Sequence, residues 1–69
     1  MKNDWIAIKD RAPDMGETVL FYDATRDWID IGDWRLDSAF SFWTRYERVP
    51  AEHVTHWQPI VPPQQEGGN

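Results

Sequence analysis

Five tryptophans, three phenylalanines and two tyrosines fall within 69 residues that hold no cysteine. This combination constrains the fold more than any other feature. A chain this short forms one domain and buries only about 60% of the surface its unfolded form exposes. Small domains usually offset so thin a core with disulfides or a structural metal. Without cysteine, disulfides and thiolate zinc sites are excluded. The remaining resource is aromatic area, about 150–250 Å² for each large ring. Trp5, Trp28, Trp34, Trp43 and Trp57, with Phe21, Phe40, Phe42, Tyr22 and Tyr46, are therefore the expected core and scaffold. Pairing of two copies is a second way to complete such a core, so the expected state is monomer or homodimer.

The pattern along the chain is that of strands. Trp5-Ile6-Ala7-Ile8 is a short β-prone run, and residues 9–17, with Pro13, Asp14 and Gly16, read as a loop. Thr18-Val19-Leu20-Phe21-Tyr22 is the clearest strand and is apolar enough to be buried on both faces. Asp23-Ala24-Thr25-Arg26-Asp27 is a polar link of hairpin length. In the next strand, over residues 28–35, Trp28, Asp30, Gly32 and Trp34 share one face, and Ile29, Ile31 and Asp33 the other. The isoleucines are expected to face the core, which sets Trp28 and Trp34 beside Asp30 on the second face. Gly32 marks a bulge or a close approach.

Residues 36–38 read as a turn. Over residues 39–46 two readings stand. A strand puts Phe40, Phe42 and Tyr46 on one face with Trp43 opposite, and a helix capped by Asp37 or Ser38 makes a stripe of Leu36, Phe40, Trp43 and Tyr46. Aromatic richness favours the strand. Pro50 ends that element, residues 51–53 suit a single helical turn, and residues 54–60 form a last extended segment. Its prolines suit an edge or a surface strap. The expected architecture is mostly β, or small α+β: one compact antiparallel sheet of three to five short strands with an aromatic-rich core. Residues 1–63 make the domain and residues 64–69 a disordered polar tail.

The two ends of the chain carry a pattern. Trp5-Ile6 opens it, Pro13 follows, then Glu17-Thr18-Val19-Leu20, and Val54-Thr55-His56-Trp57-Gln58-Pro59 with Pro62-Pro63 closes it. This resembles a short phage- and prophage-associated family, the domain of unknown function numbered 551, over residues 5–63. Ile60-Val61 stands where that pattern more often runs Leu-Pro. The resemblance implies a small β-rich protein carried by mobile elements, and it implies no activity. The two end motifs are expected to close the fold, with Trp5 packed on Trp57.

Catalytic patterns are weak. His53 and His56 have the i, i+3 spacing that can meet one metal on a helical turn, with Glu52 or an Asp of another strand needed as third ligand. His56, in an extended stretch beside prolines, is expected instead to hydrogen-bond a backbone carbonyl or a threonine. Ser38 and Ser41 lie in no nucleophile elbow, and Gly16 and Gly32 stand outside any phosphate loop. The chain is expected to be no enzyme and to use no cofactor. It has neither an apolar leader at its start nor an 18-residue apolar run, so a cytoplasmic protein without membrane contact is expected.

The net charge of −5 argues against direct nucleic-acid contact and favours a basic partner. Asp23, Asp27, Asp30, Asp33 and Asp37 fall within fifteen positions, with Trp28 and Trp34 among them. As a row along a hairpin these seven residues make the expected partner-binding surface: carboxylates for Lys and Arg, tryptophans as anchors. The corresponding function is a binding module that blocks a basic, nucleic-acid-handling host protein. An anti-CRISPR protein competing for the nucleic-acid groove of an effector subunit is the concrete form. The alternative is a structural, homo-oligomeric accessory domain of a mobile element, and a metal-dependent enzyme through His53 and His56 is a distant third.

Overall fold

The computed structural model describes residues 4–61. Residues 1–3, Pro62, Pro63 and the segment 64–69 expected to be a tail lie outside the described residues. Six strands form one antiparallel sheet, more than the three to five expected: β1 (Ile6–Ala7), β2 (Thr18–Asp23), β3 (Trp28–Leu36), β4 (Phe40–Trp43), β5 (Arg48–Pro50) and β6 (Val54–Pro59). The added elements are very short. β5 is a three-residue run that the sequence reading placed at the end of the preceding element. Of the stretch 39–46, Phe40–Trp43 is strand and no part is helix. Tyr46 lies beyond the strand, in the turn before β5, and not on the face of Phe40 and Phe42. Residues 51–53 are one 3₁₀ turn.

Strand order across the sheet is β1-β6-β2-β3-β4-β5. The last strand therefore lies inside the sheet, between β1 and β2, and not at an edge as its prolines suggested. Pro59 pairs with Val19 of β2, while β1 reaches only Trp57 and His56.

This order forces the sheet to curl. In a flat sheet, β5 and β6 would stand four spacings apart, about 19 Å at about 4.8 Å each. They are joined by only Ala51–His53 as a 3₁₀ turn, and such a turn advances about 2 Å per residue. The two halves must bend toward each other to be joined so briefly. The concave face then closes on itself and makes the core: Val19, Phe21, Trp34, Phe42, Val49, Val54 and Trp57, with Ile6, Ile8 and Ala51 packed against it.

The centre of this core is an aromatic stack across β3. Phe21 of β2 and Phe42 of β4 have ring centroids 4.6 Å apart, although β3 runs between their strands. They meet because Gly32 has no side chain. A Cβ there would lie 3.0 Å from the Trp43 carbonyl oxygen and 3.1 Å from the Phe21 ring. Gly32 is a close approach, one of the two roles read for it. Trp34 packs beside this pair, 4.8 Å from Phe42 and stacked at 4.9 Å on Phe40.

The alternation expected for β3 is present with the opposite sense. Trp34 is buried, and Ile29 and Ile31 are 57% and 50% exposed. The curled core has no second layer to complete it, so rings long enough to span it take the inner positions and the isoleucines are left outside. β2 is likewise buried on one face and half-buried on the other, not buried on both. Where the sequence suggests a Trp5–Trp57 clasp, Ile6 is the residue set opposite Trp57. Trp57 is buried, donates through Nε1 to the Arg11 carbonyl at 2.7 Å and carries the Arg11 guanidinium over its ring. Trp5 precedes Ile6, which is the residue paired with Trp57, and lines a hollow on the opposite face.

Asp23 closes the β2–β3 hairpin from inside. Its side chain is fully buried, and Oδ1 accepts from the Thr25 amide (2.9 Å), the Thr25 hydroxyl (2.7 Å) and the Arg26 amide (3.3 Å). Oδ2 lies 3.3 Å from Arg26 Nε. Burial is the largest influence and would raise its pKa. The bonds from Thr25 and Arg26 together outweigh it and hold the carboxyl below the ordinary 3.8.

Two outcomes follow. Gly32→Ala forces a methyl against backbone at Trp43, so it should cost about 1–3 kcal/mol, seen as a lower urea midpoint with an unchanged m-value. Asp23→Ala removes a buried acceptor and should cost about 2–3 kcal/mol. Because the folded pKa of Asp23 is depressed, its stabilisation is present above about 3.8 and is lost as pH falls below it. Urea midpoints between pH 6 and pH 2.5 should therefore fall less steeply in Asp23→Asn than in the parent chain.

Candidate partner-binding surface

The five aspartates expected to form a row do not form one. Asp23 is in the core and is unavailable to a partner. Asp27 sits at the hairpin tip with φ of 59° and accepts a hydrogen bond from the Tyr22 hydroxyl. That bond first, then burial and the charges of Asp27 and Asp23, raise the Tyr22 pKa above 10.0. Asp30 is half-buried on the inner side of β3, and its Oδ1 accepts from the Ile31 amide at 2.8 Å. Asp33 faces the opposite side and takes the Thr18 hydroxyl at 2.6 Å and Arg35 at 3.0 Å. The Thr18 bond, then that from Arg35, keeps its carboxyl below the usual aspartate range, against a smaller effect of burial. Asp37 is exposed in the β3–β4 turn, at the far end of β3 from Asp27. Ten residues of extended chain separate those two, about 33 Å.

The two tryptophan anchors also part. Trp34 is 5% exposed and belongs to the core. Trp28 is 47% exposed, and the Arg26 guanidinium lies over its ring, 4.9 Å from the centroid. Arg26 also forms a bidentate pair with Glu47 (2.5 and 2.9 Å), tying the hairpin to the β4–β5 turn. The bond to Glu47 is the main cause of a raised Arg26 pKa, and the same pair lowers that of Glu47.

What the structure gathers instead is apolar. On the outer face of the curled sheet, Trp5, Tyr22, Ile29 and His56 line a hollow of about 230 Å³. Beside it, along the edge of β3, Ile31 and Trp43 line an open cleft of about 560 Å³ whose walls also carry Thr18, Asp30, Asp33, Arg45 and Tyr46. Pairings Tyr22↔Ile29 and Leu20↔Ile31 make this strip continuous from β2 to β3, and Asp33↔Trp43 carries it to β4. Ile29, Ile31, Trp43 and Tyr46 are all exposed. The sequence reading missed this surface because it placed the isoleucines inside. Gly32 carried the missing signal: a close approach of backbone to aromatic rings belongs to the packed face, and Gly32 and Trp34 share a face.

Among the described residues no group of three His, Cys, Asp or Glu side chains is placed to hold an ion. His56 is exposed, with Nδ1 3.0 Å from the Thr55 hydroxyl, while His53 lies in the 3₁₀ turn with a buried Nδ1. No helix among the described residues is long and apolar enough to cross a membrane.

Comparison with known proteins gives one match. No curated protein and no solved structure matches the chain. A family model described as "Protein of unknown function (DUF551)" matches residues 4–65, from the Trp5-Ile6 opening through the strand that ends at Pro59. By that match over nearly its whole length, the chain belongs to the DUF551 family.

Proposed function

We propose that this chain is a protein-binding module that takes a basic partner on the outer face of its curled sheet. The observation that carries the reading is the exposure of Ile29 and Ile31 on one face with Trp5, Tyr22 and Trp43. A contiguous apolar and aromatic strip on so small a domain marks an interaction surface. The net charge of −5, with Asp27 and Asp33 near this strip, favours a positively charged partner and speeds its approach. The resemblance to a phage and prophage family supports a host protein as the target. Its concrete form is inhibition of a nucleic-acid-handling host complex, in the manner of an anti-CRISPR protein. With Asp23 buried and Asp37 remote, blockage by an apolar plug with an acidic rim fits better than imitation of a phosphate row.

The experiment is capture from the native host, identification of the recovered protein, and titration of that purified protein against the chain. A basic, nucleic-acid-handling partner is expected, with affinity that weakens as salt rises. The double variant Ile29→Ser, Ile31→Ser should lose about 30-fold or more in affinity, as truncation of interface anchors does, with little change in melting temperature. Undiminished affinity overturns the proposal. So does a homodimer at tens of micromolar that the same variant dissolves, which would assign the face to self-association in an accessory role.

A further inference from the structure

β3 is paired along most of its length on one side and along less than half of it on the other. On the first side, β2 covers it from Trp28 to Asp33, and Glu17 and Gly16 continue the pairing to Trp34. On the second, β4 covers only Asp33 to Leu36. Among the described residues, no strand pairs there with residues 28–32. The Trp34 amide and carbonyl both face the Glu17 and Gly16 side, at 3.0 and 2.7 Å. By the alternation of an antiparallel ladder, the amides of Ile29 and Ile31 face the unpaired side. The Asp30 bond to the Ile31 amide agrees, the carboxylate filling the place of an absent strand's carbonyl.

We infer that this half-edge is a docking slot for an extended basic segment of a partner protein, added as a further strand beside β3. The inference rests on the reading of the chain as a protein-binding module and names what the partner presents. Main-chain bonds to a free edge supply affinity, and alternate side chains supply selectivity. On the outer face an added strand meets Ile29, Ile31 and Trp43, so those positions are apolar. On the inner face it meets Asp30 and Trp28, so those positions are Lys or Arg. The chain displays this second contact itself: the Arg26 guanidinium already lies over Trp28 with its fork on Glu47, closing the far end of the gap. An incoming arginine lies beside the Trp28 ring, one face of which Arg26 holds, and takes the Asp30 carboxylate as it releases the Ile31 amide. Five residues, about 17 Å of strand, fill the slot.

The probe is the capped pentapeptide Val-Arg-Val-Arg-Val, titrated into the ¹⁵N-labelled full chain at low salt. Shifts should centre on the amides of Ile29, Ile31 and Gly32, with slowed exchange at the first two. Asp30→Lys should weaken this peptide about tenfold or more and favour Val-Glu-Val-Glu-Val instead. Ile31→Pro removes an edge donor that the β2 ladder does not use, so a variant that melts as the parent does should bind neither peptide. Absence of shifts at millimolar peptide, shifts confined to Trp5, Tyr22 and His56, or an unchanged charge preference in Asp30→Lys each overturn the slot. Capture of the whole partner that survives Ile31→Pro but fails in the Ile29→Ser, Ile31→Ser variant overturns the slot alone and leaves the outer-face reading in place.

Discussion

The stack of Phe21 on Phe42 above Gly32 holds the curl of the sheet, and the rest of the structure depends on that curl. A single sheet without helices has one way to bury a face, which is to wrap it around its own side chains. Rings from strands two places apart must then touch, and they touch only where the strand between them offers no side chain. The brief connection from β5 to β6 is possible because the sheet is already bent there, and it holds the bend in turn. Trp34, Trp57 and the valines of β2, β5 and β6 complete a core that is small in residue count and large in ring area.

The curl divides the surface as well. Its concave side takes the rings of Phe21, Phe42, Trp34 and Trp57, and its convex side keeps the isoleucines with Trp5 and Trp43. Polar groups that the sequence groups together are separated by strand alternation and by the hairpin: one aspartate closes the turn from within, one occupies an unpaired amide, one pairs across to Thr18, and two mark opposite ends of β3. Four of these five aspartates are engaged in local bonds, and the exposed isoleucines with their aromatic neighbours form the continuous accessible strip.

Much of the fold was legible in the sequence. The hairpin at residues 23–27, the alternation of β3, the strand at Phe40–Trp43 and the 3₁₀ turn after Pro50 all have local causes, namely turn chemistry, periodicity and β propensity. What was not legible is global. Which face of β3 turns inward depends on the curl, and the curl depends on pairings between residues far apart. Hydropathy ranks isoleucine ahead of tryptophan for the interior, but a core without a second layer is filled by reach, and Trp34 reaches where Ile31 does not. The candidate surface inherited that inversion: of its sequence-named residues, Asp23 and Trp34 are core, while Ile29, Ile31 and Tyr22 had been passed over. The interior position of β6 is non-local for the same reason, since nothing in Val54–Pro59 itself says which strands will flank it.

The placement of that last strand sets an order on synthesis. β1 has β6 as its strand neighbour, and β2 needs β6 on one of its two sides. A chain still being made can form the β2–β3 hairpin and add β4, but its first residues have nothing to join until residues 54–59 have emerged. The closing Thr55-His56-Trp57 run is therefore also a completion signal. A chain truncated before it keeps an open sheet with the whole of β2 as an unpaired edge, a state prone to associate wrongly with other chains. Contacts this distant in sequence also make for slow closure, so the exposure lasts until the final strand slides between the first two.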